Sequence, residues 1–218
     1  MGWKSIRDRL VGGDESWGGR RRAERWAWFT RSFPELDQMT VIDLGGDPHT
    51  WMQSPVHPKH VHVVNIEPLE TELPDWIETD YADACALPEP IASRRYDLVF
   101  SNSVLEHVGG HERRVRFAEN AHKLADNHWV QTPYRYFPVE PHWVAPGMQF
   151  LPVRARATLA QKWPLAHVKS SGVQDALDGV LWTELIDRTQ LRYLFPDSRI
   201  LNERLAGLTK SIIAVKKD

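Results

Sequence analysis

One stretch decides the fold of this chain, Thr40-Val41-Ile42-Asp43-Leu44-Gly45-Gly46-Asp47-Pro48-His49. Its first five residues form a short, largely β-branched run, which is typical of a buried strand in a parallel sheet. The two glycines that follow allow a tight turn and let the backbone pass close to a ligand. Ligands of open α/β sheets bind at this carboxyl end of the strands. The stretch therefore predicts one corner of a ligand site.

Further strand candidates repeat along the chain, so that the full set is 40–44, 61–66, 76–79, 97–101, 129–131, 198–204 and 210–215. Longer stretches of helical or loop composition separate the first five, and this alternation indicates βαβ units in a parallel sheet. Right-handed crossovers then place the carboxyl ends of those strands on one edge. The link around Gly207 is too short for a parallel crossover, so the last two strands are predicted to pair antiparallel.

The connections carry helical periodicity. Apolar residues three and four positions apart predict helices over 20–33, 112–126, 153–163 and 173–190. The polar, glycine-rich residues 1–19 are expected to form a lid or mobile arm, which makes 1–33 an N-terminal arm and helix. Residues 132–190 are predicted to form an acceptor loop and a helical insertion. All 218 residues are thus expected to belong to one α/β domain.

Composition narrows the function classes. A net charge of −2 gives no electrostatic footprint for nucleic acid. The single cysteine, Cys85, excludes an internal disulfide framework and a multi-cysteine metal site. No stretch approaches the roughly 20 apolar residues of a membrane span, and the N-terminus lacks the apolar core of a signal peptide. We therefore expect a cytoplasmic protein without nucleic-acid or membrane partners.

Polar residues follow the next strands at the same predicted edge. Glu67 and Pro68 come after the second strand, where a carboxylate can accept hydrogen bonds from both hydroxyls of a ribose. Asp83 and Ala84 come after the third strand, where a side-chain acceptor and a backbone amide can read the edge of an adenine. The fourth strand ends in Ser101-Asn102-Ser103-Val104. The strand ends together predict a nucleoside-binding site.

In this order the four strand ends resemble the class I S-adenosylmethionine-dependent methyltransferases, and in particular methyltransferases of type 11. The resemblance implies a Rossmann-like, mostly parallel seven-stranded sheet with helices on both faces and an antiparallel C-terminal edge. It implies S-adenosyl-L-methionine as the cofactor, with Asp43, Leu44, Gly45 and Gly46 as the glycine motif. By the same resemblance Glu67 and Pro68 bind the ribose, Asp83 and Ala84 the adenine, and Ser101 and Asn102 the methionine end. The chain departs from the family at Asp47 and His49, where further glycines are usual.

Other functions that use the same sheet fit less well. A dinucleotide-dependent oxidoreductase needs the spacing G-x-G-x-x-G, which Asp47 and His49 interrupt. The methyltransferases of exocyclic base amines carry Asn/Asp-Pro-Pro-aromatic where this chain has Ser101 to Val104. A small-molecule N-methyltransferase and a non-catalytic S-adenosylmethionine-binding protein both stay open as alternatives.

A proline-rich aromatic loop, residues 132–143, is the best indication of the acceptor. It resembles a loop of bacterial methyltransferases encoded near polysaccharide genes, and the chain's size and loop are similar to mycobacterial mannoside 1-O-methyltransferases. The resemblance implies a sugar or oligosaccharide acceptor in polysaccharide biosynthesis. The residues expected to contact the acceptor are Tyr134, Tyr136, Phe137, Glu140, Trp143 and His107.

An alcohol is a poor nucleophile while it carries its proton, so a base within hydrogen-bond reach of the acceptor is expected. His142 is the predicted catalytic base because it lies on the acceptor loop beside Glu140, which can orient it. His107 is the alternative base. A metal such as Mg²⁺ is left open, and its candidate ligands are Glu106, His107, His111, Glu140 and His142. The oligomeric state, including a homodimer, is also left open.

Overall fold

The computed structural model describes residues 17–69, 72–165 and 170–217. The predicted N-terminal arm lies outside the described residues up to position 16, and its last three residues already belong to a helix, α1 (Trp17–Ser32). Within the described ranges no helix is both long enough and apolar enough to cross a bilayer.

A seven-stranded sheet forms the centre of the fold, with the strand order β3-β2-β1-β4-β5-β9-β8. The first five strands run parallel, whereas β9 pairs antiparallel with both β5 and β8. The order changes direction beside β1, which pairs with β2 on one side and β4 on the other, and this is the position where doubly wound sheets bind ligands. The strands are β1 (Thr40–Leu44), β2 (His60–Asn65), β3 (Ile77–Tyr81), β4 (Leu98–Asn102), β5 (Asn127–Pro133), β8 (Arg199–Leu205) and β9 (Leu208–Lys216).

Helices cover both faces of the sheet. Against one face α1 and the short α2 (Pro48–Met52) bury an aromatic core that includes Phe29, Trp51 and Trp129. Against the other face pack α3 (Glu89–Ala92), α4 (Gly110–Leu124) and α7 (Arg188–Leu194). The α/β fold class and the predicted antiparallel edge are thus confirmed, and the seven predicted strands match the observed ones closely.

The predicted helix over 173–190 is wrong in one respect, because the structure divides it into α6 (Val173–Trp182) and α7. Asp187 starts a new helix here because it is the N-cap of α7. Its side chain accepts a hydrogen bond from the backbone N–H of Gln190, and the Gln190 side chain accepts one from the backbone N–H of Asp187. The intervening residues are held to the sheet edge, where Ile186 bridges to Tyr134. Helical periodicity continued through this break, so apolar spacing alone did not reveal it.

The predicted acceptor loop, expected to be irregular, contains regular structure. β5 continues through Pro133, and a short hairpin pairs β6 (Val139–Glu140) with β7 (Ala145–Pro146). The hairpin leads into α5 (Val153–Lys162), which packs on α6 around a small separate core. Prolines are tolerated here because Pro133 ends β5, Pro146 lies on a two-residue edge strand, and Pro138 and Pro141 lie in the turns beside β6. This insertion stands at the carboxyl edge of the sheet.

Candidate active site

The glycine turn after β1 is packed so tightly that only glycine fits. Gly45 has a φ of +83°, and a Cβ there would come within 2.5 Å of the Val104 side chain. A Cβ on Gly46 would overlap the carboxylate of Asp43. Side chains of the protein thus crowd both glycines, and a larger residue at either position would have to displace them.

Asp43 is buried beneath this turn, with 1% of its surface exposed. Its Oδ2 accepts a hydrogen bond of 2.8 Å from the indole of Trp51. Burial raises the pKa of Asp43 to about 7, against the opposing effect of the Trp51 bond. Asp43 therefore acts beneath the turn, where it fixes α2 to the end of β1.

The departure from the glycine pattern at Asp47 and His49 has a structural explanation. Asp47 is the N-cap of α2, and its Oδ1 accepts a hydrogen bond of 2.9 Å from the His49 amide. Pro48 occupies the first helical position, where its missing N–H costs nothing. The residues that replace the expected glycines thus start a helix at the sheet edge.

A cleft of about 330 Å³ opens beside the turn, a size suited to a small ligand. Three of the predicted cofactor residues line it together with Gly45, namely Glu67, Asp83 and Ala84. Asn65 shapes its rim, since Nδ2 donates to the Gly46 carbonyl at 2.7 Å and Oδ1 accepts from the Glu67 amide at 3.0 Å. Leu44 and Pro68 are not among its lining residues in the described chain. The strand ends thus converge on one cleft, as the sequence predicted.

Asp83 is paired in a way that the sequence did not indicate. Its Oδ2 accepts from Arg113 Nη2 at 2.7 Å and its Oδ1 accepts from the Cys85 amide at 2.9 Å. Partial burial opposes the charged form, but the Arg113 hydrogen bond and charge lower the pKa of Asp83 below its ordinary value. The carboxylate in the cleft is therefore ionised at neutral pH.

Ser101 and Asn102 direct their side chains to the framework rather than into the cleft. The buried Ser101 hydroxyl donates to the Leu44 carbonyl at 2.9 Å, which joins β4 to β1. Asn102 Oδ1 accepts from Arg25 of α1 at 2.8 Å. The next two residues, Ser103 with a φ of +59° and Val104, line the cleft in their place.

Three side chains form a hydrogen-bonded row at the other end of the cleft. Glu140 Oε1 lies 2.7 Å from Nδ1 of His142, and His142 Nε2 lies 3.0 Å from Nε2 of His107. Glu140 is 1% exposed, and its second oxygen accepts from the Trp143 amide at 2.9 Å. His107 is the member that lines the cleft. The structure thus brings both predicted histidines and Glu140 together.

The two imidazoles differ in basicity. Burial opposes the charged form of His142, yet the hydrogen bond and charge of Glu140 raise its pKa above the ordinary value. Burial, helped by repulsion from His142, lowers the pKa of His107 to about 4. The bond to Glu140 assigns the Nδ1 proton to His142, which leaves Nε2 as the basic atom. His142 is therefore the stronger base of the pair and His107 is neutral at pH 7.

Glu106 extends the row into the interior. It is fully buried, and its Oε2 accepts from the Thr132 hydroxyl at 3.0 Å. Among the described residues, no group hydrogen-bonds to its Oε1. Burial raises the pKa of Glu106 to about 7, with His142 acting in the opposite direction. Glu106 is thus a buried carboxyl with a pKa near neutrality, and one of its oxygens lies within 4.8 Å of a ring nitrogen of His107 and of His142.

The predicted acceptor aromatics are divided between two places. Tyr134 is partly buried against the core of the sheet with the Arg188 guanidinium 5.2 Å from its ring centre, whereas Tyr136 stacks on Phe150 and is 55% exposed. Phe137 is half-buried in the turn before β6. Trp143 is 7% exposed and packs inside the small core of α5 and α6. This placement favours a packing role for Trp143 over the predicted contact with the acceptor.

The predicted metal ligands fit Mg²⁺ poorly. Ligand atoms of Glu106, His107 and His142 lie within 4.8 Å of one another, but two of the three are imidazole nitrogens. Mg²⁺ prefers oxygen ligands, and this donor set suits a borderline ion such as Zn²⁺ better. His111 lies apart from the group, beside Tyr193 on the surface.

Several residues that line the cleft were not among the predicted site residues, and Val108, Arg113 and Trp182 lie farthest along the chain from the predicted strand ends. Arg113 and Trp182 come from helices whose local patterns carry no ligand signal, and only the tertiary fold brings them to the cleft. Trp182 ends α6 and is 54% exposed, so an aromatic ring of the insertion faces the same cleft as His107.

Comparison with known proteins identifies the fold. No protein-family model matches the chain, and no curated protein matches it. Many solved structures do. Magnesium protoporphyrin IX methyltransferase of Synechocystis, with bound S-adenosylhomocysteine, matches at 13% identity and a TM-score of 0.53, over 98% of this chain and 94% of that one. N-methyltransferase NodS of Bradyrhizobium japonicum, also with S-adenosylhomocysteine, matches at 10% identity and 0.51, over 99% and 97%.

A third solved structure is the N-terminal domain of EvdMO1 in the presence of S-adenosylhomocysteine and D-fucose. It matches at 16% identity with a TM-score of 0.51, over 99% of this chain and 96% of that one. Because the chain is matched over nearly its whole length, its fold is that of the S-adenosylmethionine-dependent methyltransferases.

Proposed function

We propose that the chain is an S-adenosylmethionine-dependent O-methyltransferase that methylates a hydroxyl of a sugar or glycoside. One observation carries the proposal. The cleft is lined by two carboxylates that follow strands, Glu67 and Asp83, and also by His107, the first member of the hydrogen-bonded row His107–His142–Glu140. The first group suits a nucleoside, and the second suits the removal of a proton. A domain of the same fold crystallised in the presence of D-fucose is compatible with a sugar acceptor.

The cofactor supplies a methyl group on a positively charged sulfur, which is already activated for displacement. Glu67 accepts from the ribose hydroxyls, and the ionised Asp83 accepts from the adenine amino group. Glu67 and Asp83 follow β2 and β3 on one side of β1, whereas His107 follows β4 on the other side, so this binding mode would direct the methyl group toward the histidines. Transfer of the methyl then needs an acceptor oxygen held in line at this end.

The base that accepts the acceptor's proton is His142. In the transfer a carbon–oxygen bond forms, the carbon–sulfur bond breaks, and the hydroxyl proton moves to an imidazole nitrogen. His142 has the raised pKa, and Glu140 stabilises the imidazolium that forms. His107, whose pKa lies near 4, is a neutral neighbour that lines the cleft and lies 3.0 Å from His142 Nε2, so the acceptor hydroxyl has to displace His107 to reach that nitrogen. No step in this reaction requires a metal ion.

Two measurements test the proposal. Titration calorimetry with S-adenosylhomocysteine is expected to show one binding site, and no binding would contradict the cofactor assignment. Transfer of labelled methyl from S-adenosylmethionine to a panel of mono- and disaccharides, with and without chelator, is expected to identify a hydroxyl acceptor. Transfer only to amines, unaffected by His142→Ala, would instead support a small-molecule N-methyltransferase, since a neutral amine needs no base. Cofactor binding without transfer to any acceptor would support a non-catalytic binding protein.

A further inference from the structure

The insertion that follows β5 contains a segment of positive charge. Residues 141–174 include four lysines and arginines and no aspartate or glutamate, although the whole chain has a net charge of −2. One of the four, Arg156, is half-buried and donates to the Val180 carbonyl at 2.9 Å, which joins α5 to α6. Arg154 and Lys162 of α5 are exposed, and neither forms an ion pair with another described residue. Their charges therefore face solvent without a counter-charge from the protein.

Four consecutive apolar residues are exposed at the start of α5. Phe150 is 53% exposed, Leu151 41% and Val153 39%, and Pro152 between them is also exposed. Tyr136 stacks on Phe150 and is itself exposed, so the apolar surface extends to the loop after β5. A run of this length is unusual on a surface that faces only water, and such surfaces mark interaction sites.

The exposed run continues into an open groove of about 640 Å³ along α5. Its lining lies on one face of the helix and includes Leu151, Arg154, Ala155, Leu159 and Lys162. The opposite face, with Ala157 and Ala160, packs in the small core between α5 and α6. Among the described residues no carboxylate lines the groove, and the acidic Asp175 and Asp178 of α6 lie outside its lining. The outward face of α5 thus combines apolar surface with positive charge.

We propose that this face of α5, together with the exposed run 150–153, binds the surface of an anionic lipid bilayer. The apolar side chains enter the boundary between headgroups and acyl chains, while Arg154 and Lys162 lie among the phosphate groups. Charge complementarity identifies the partner, because a groove with two cations and no carboxylate attracts a negatively charged surface. The inference goes beyond the proposed function and does not rest on it.

The dimensions of α5 suit a helix that lies flat on a bilayer. Its ten residues span roughly 15 Å, and Arg154 and Lys162, eight positions apart, are separated by roughly 12 Å along the axis. Both ends of the groove therefore carry a cation. Adsorption of this kind needs no membrane-spanning segment. The expectation that the protein has no membrane partner depends on the lack of such a segment, and it does not extend to binding at the surface.

The test measures binding of the full chain to lipid vesicles by sedimentation. Vesicles of phosphatidylcholine with about a quarter phosphatidylglycerol are compared with vesicles of phosphatidylcholine alone. We expect binding to the anionic vesicles to be at least about 10-fold stronger. It should weaken when the salt concentration rises from about 0.1 to 0.5 M, because salt screens the charges of the headgroups.

Substitutions separate the two contributions. The double variant Arg154→Gln/Lys162→Gln should bind anionic vesicles about 25-fold more weakly, or about 5-fold for each cation. Leu151→Ser should weaken the same binding about 3- to 10-fold and keep its salt dependence. Arg192→Gln and Tyr193→Ser are the controls, since they remove an exposed cation and a larger exposed ring from α7, and both should bind like wild type.

Calorimetry with S-adenosylhomocysteine, in solution without vesicles, checks that each variant is folded. Equal binding of wild type to neutral and anionic vesicles would overturn the proposal, as would binding to neither or equal binding by wild type and both α5 variants. Self-association of the wild type that Leu151→Ser abolishes, without vesicle binding, would assign this face to a second copy of the chain and also overturn it. None of these results affects the proposed function. Failure to bind S-adenosylhomocysteine alongside normal vesicle binding would contradict the proposed function and leave this inference standing.

Discussion

The two ends of the cleft are built differently. At the nucleoside end, Glu67 is exposed and the Asp83 carboxylate is one-third exposed, and each follows directly on a strand of the sheet. At the histidine end, Glu140 and Glu106 are almost completely buried, and the groups come from the connection after β4 and from the β6–β7 hairpin. A ligand that must enter and leave suits the open end. A proton acceptor whose basicity depends on a buried carboxylate suits the closed end.

This difference predicts separate effects of substitution at the two ends. The largest effect is expected from His142→Ala, which removes the base and should lower turnover about 10²- to 10⁴-fold while cofactor affinity stays within about twofold. Initial rates of methyl transfer and calorimetry with S-adenosylhomocysteine check the two parts. His111→Ala, an exposed histidine beside Tyr193, is the control and should behave like wild type. Unchanged turnover in His142→Ala would remove the residue from this role.

Glu67→Ala should show the reverse pattern. Loss of a carboxylate that accepts from the ribose is expected to weaken S-adenosylhomocysteine binding about 10- to 100-fold. Turnover at saturating cofactor should change little, because the residue lies away from the histidines. Asp75→Ala removes an exposed acid from the connection before β3 and serves as the control. Equal affinity in Glu67→Ala and wild type would contradict the assignment of the nucleoside end.

The acid limb of the pH profile tests the closed end. His142 must be unprotonated to accept a proton, so kcat/KM should rise as the pH increases through its raised pKa. Because Glu140 is what raises that pKa, Glu140→Gln should move the limb to lower pH and reduce the plateau rate. Profiles of kcat/KM between pH 5 and 9 measure both effects. A limb that stays in place would assign it to another group, and Glu106, with a pKa of about 7, is the first to examine.

The smallest effect is expected at Ser101. The sequence assigned this residue to the cofactor, but in the structure its hydroxyl donates a hydrogen bond to the Leu44 carbonyl. Ser101→Ala should lower the free energy of unfolding by about 1 kcal/mol, or Tm by about 2–4 °C, with cofactor affinity unchanged. Ser93→Ala removes a hydroxyl that bonds a backbone carbonyl on an exposed helix end and should cost less. A clear loss of cofactor affinity in Ser101→Ala would return the residue to the binding site.

The same contrast governs what the sequence could predict. Strands and the residues that follow them are local features, so the sheet, Glu67 and Asp83 were predictable from short patterns. Arg113, Trp182 and the Glu140–His142–His107 geometry depend on contacts between elements far apart in the chain. The sequence could place His142 on a loop beside Glu140, but the approach of His107 and the burial of Trp143 required the tertiary structure. The helix break before Asp187 was hidden because apolar spacing continued across it.

The most direct test of the whole account is methyl transfer to a glycoside at saturating S-adenosylmethionine, measured side by side in Glu67→Ala and His142→Ala. Excess cofactor compensates for weak binding but not for a missing base. We predict that Glu67→Ala recovers to within about threefold of the wild-type rate while His142→Ala stays at least about a hundredfold slower. Recovery of His142→Ala, or failure of Glu67→Ala to recover, would contradict the division of the cleft into a binding end and a reacting end.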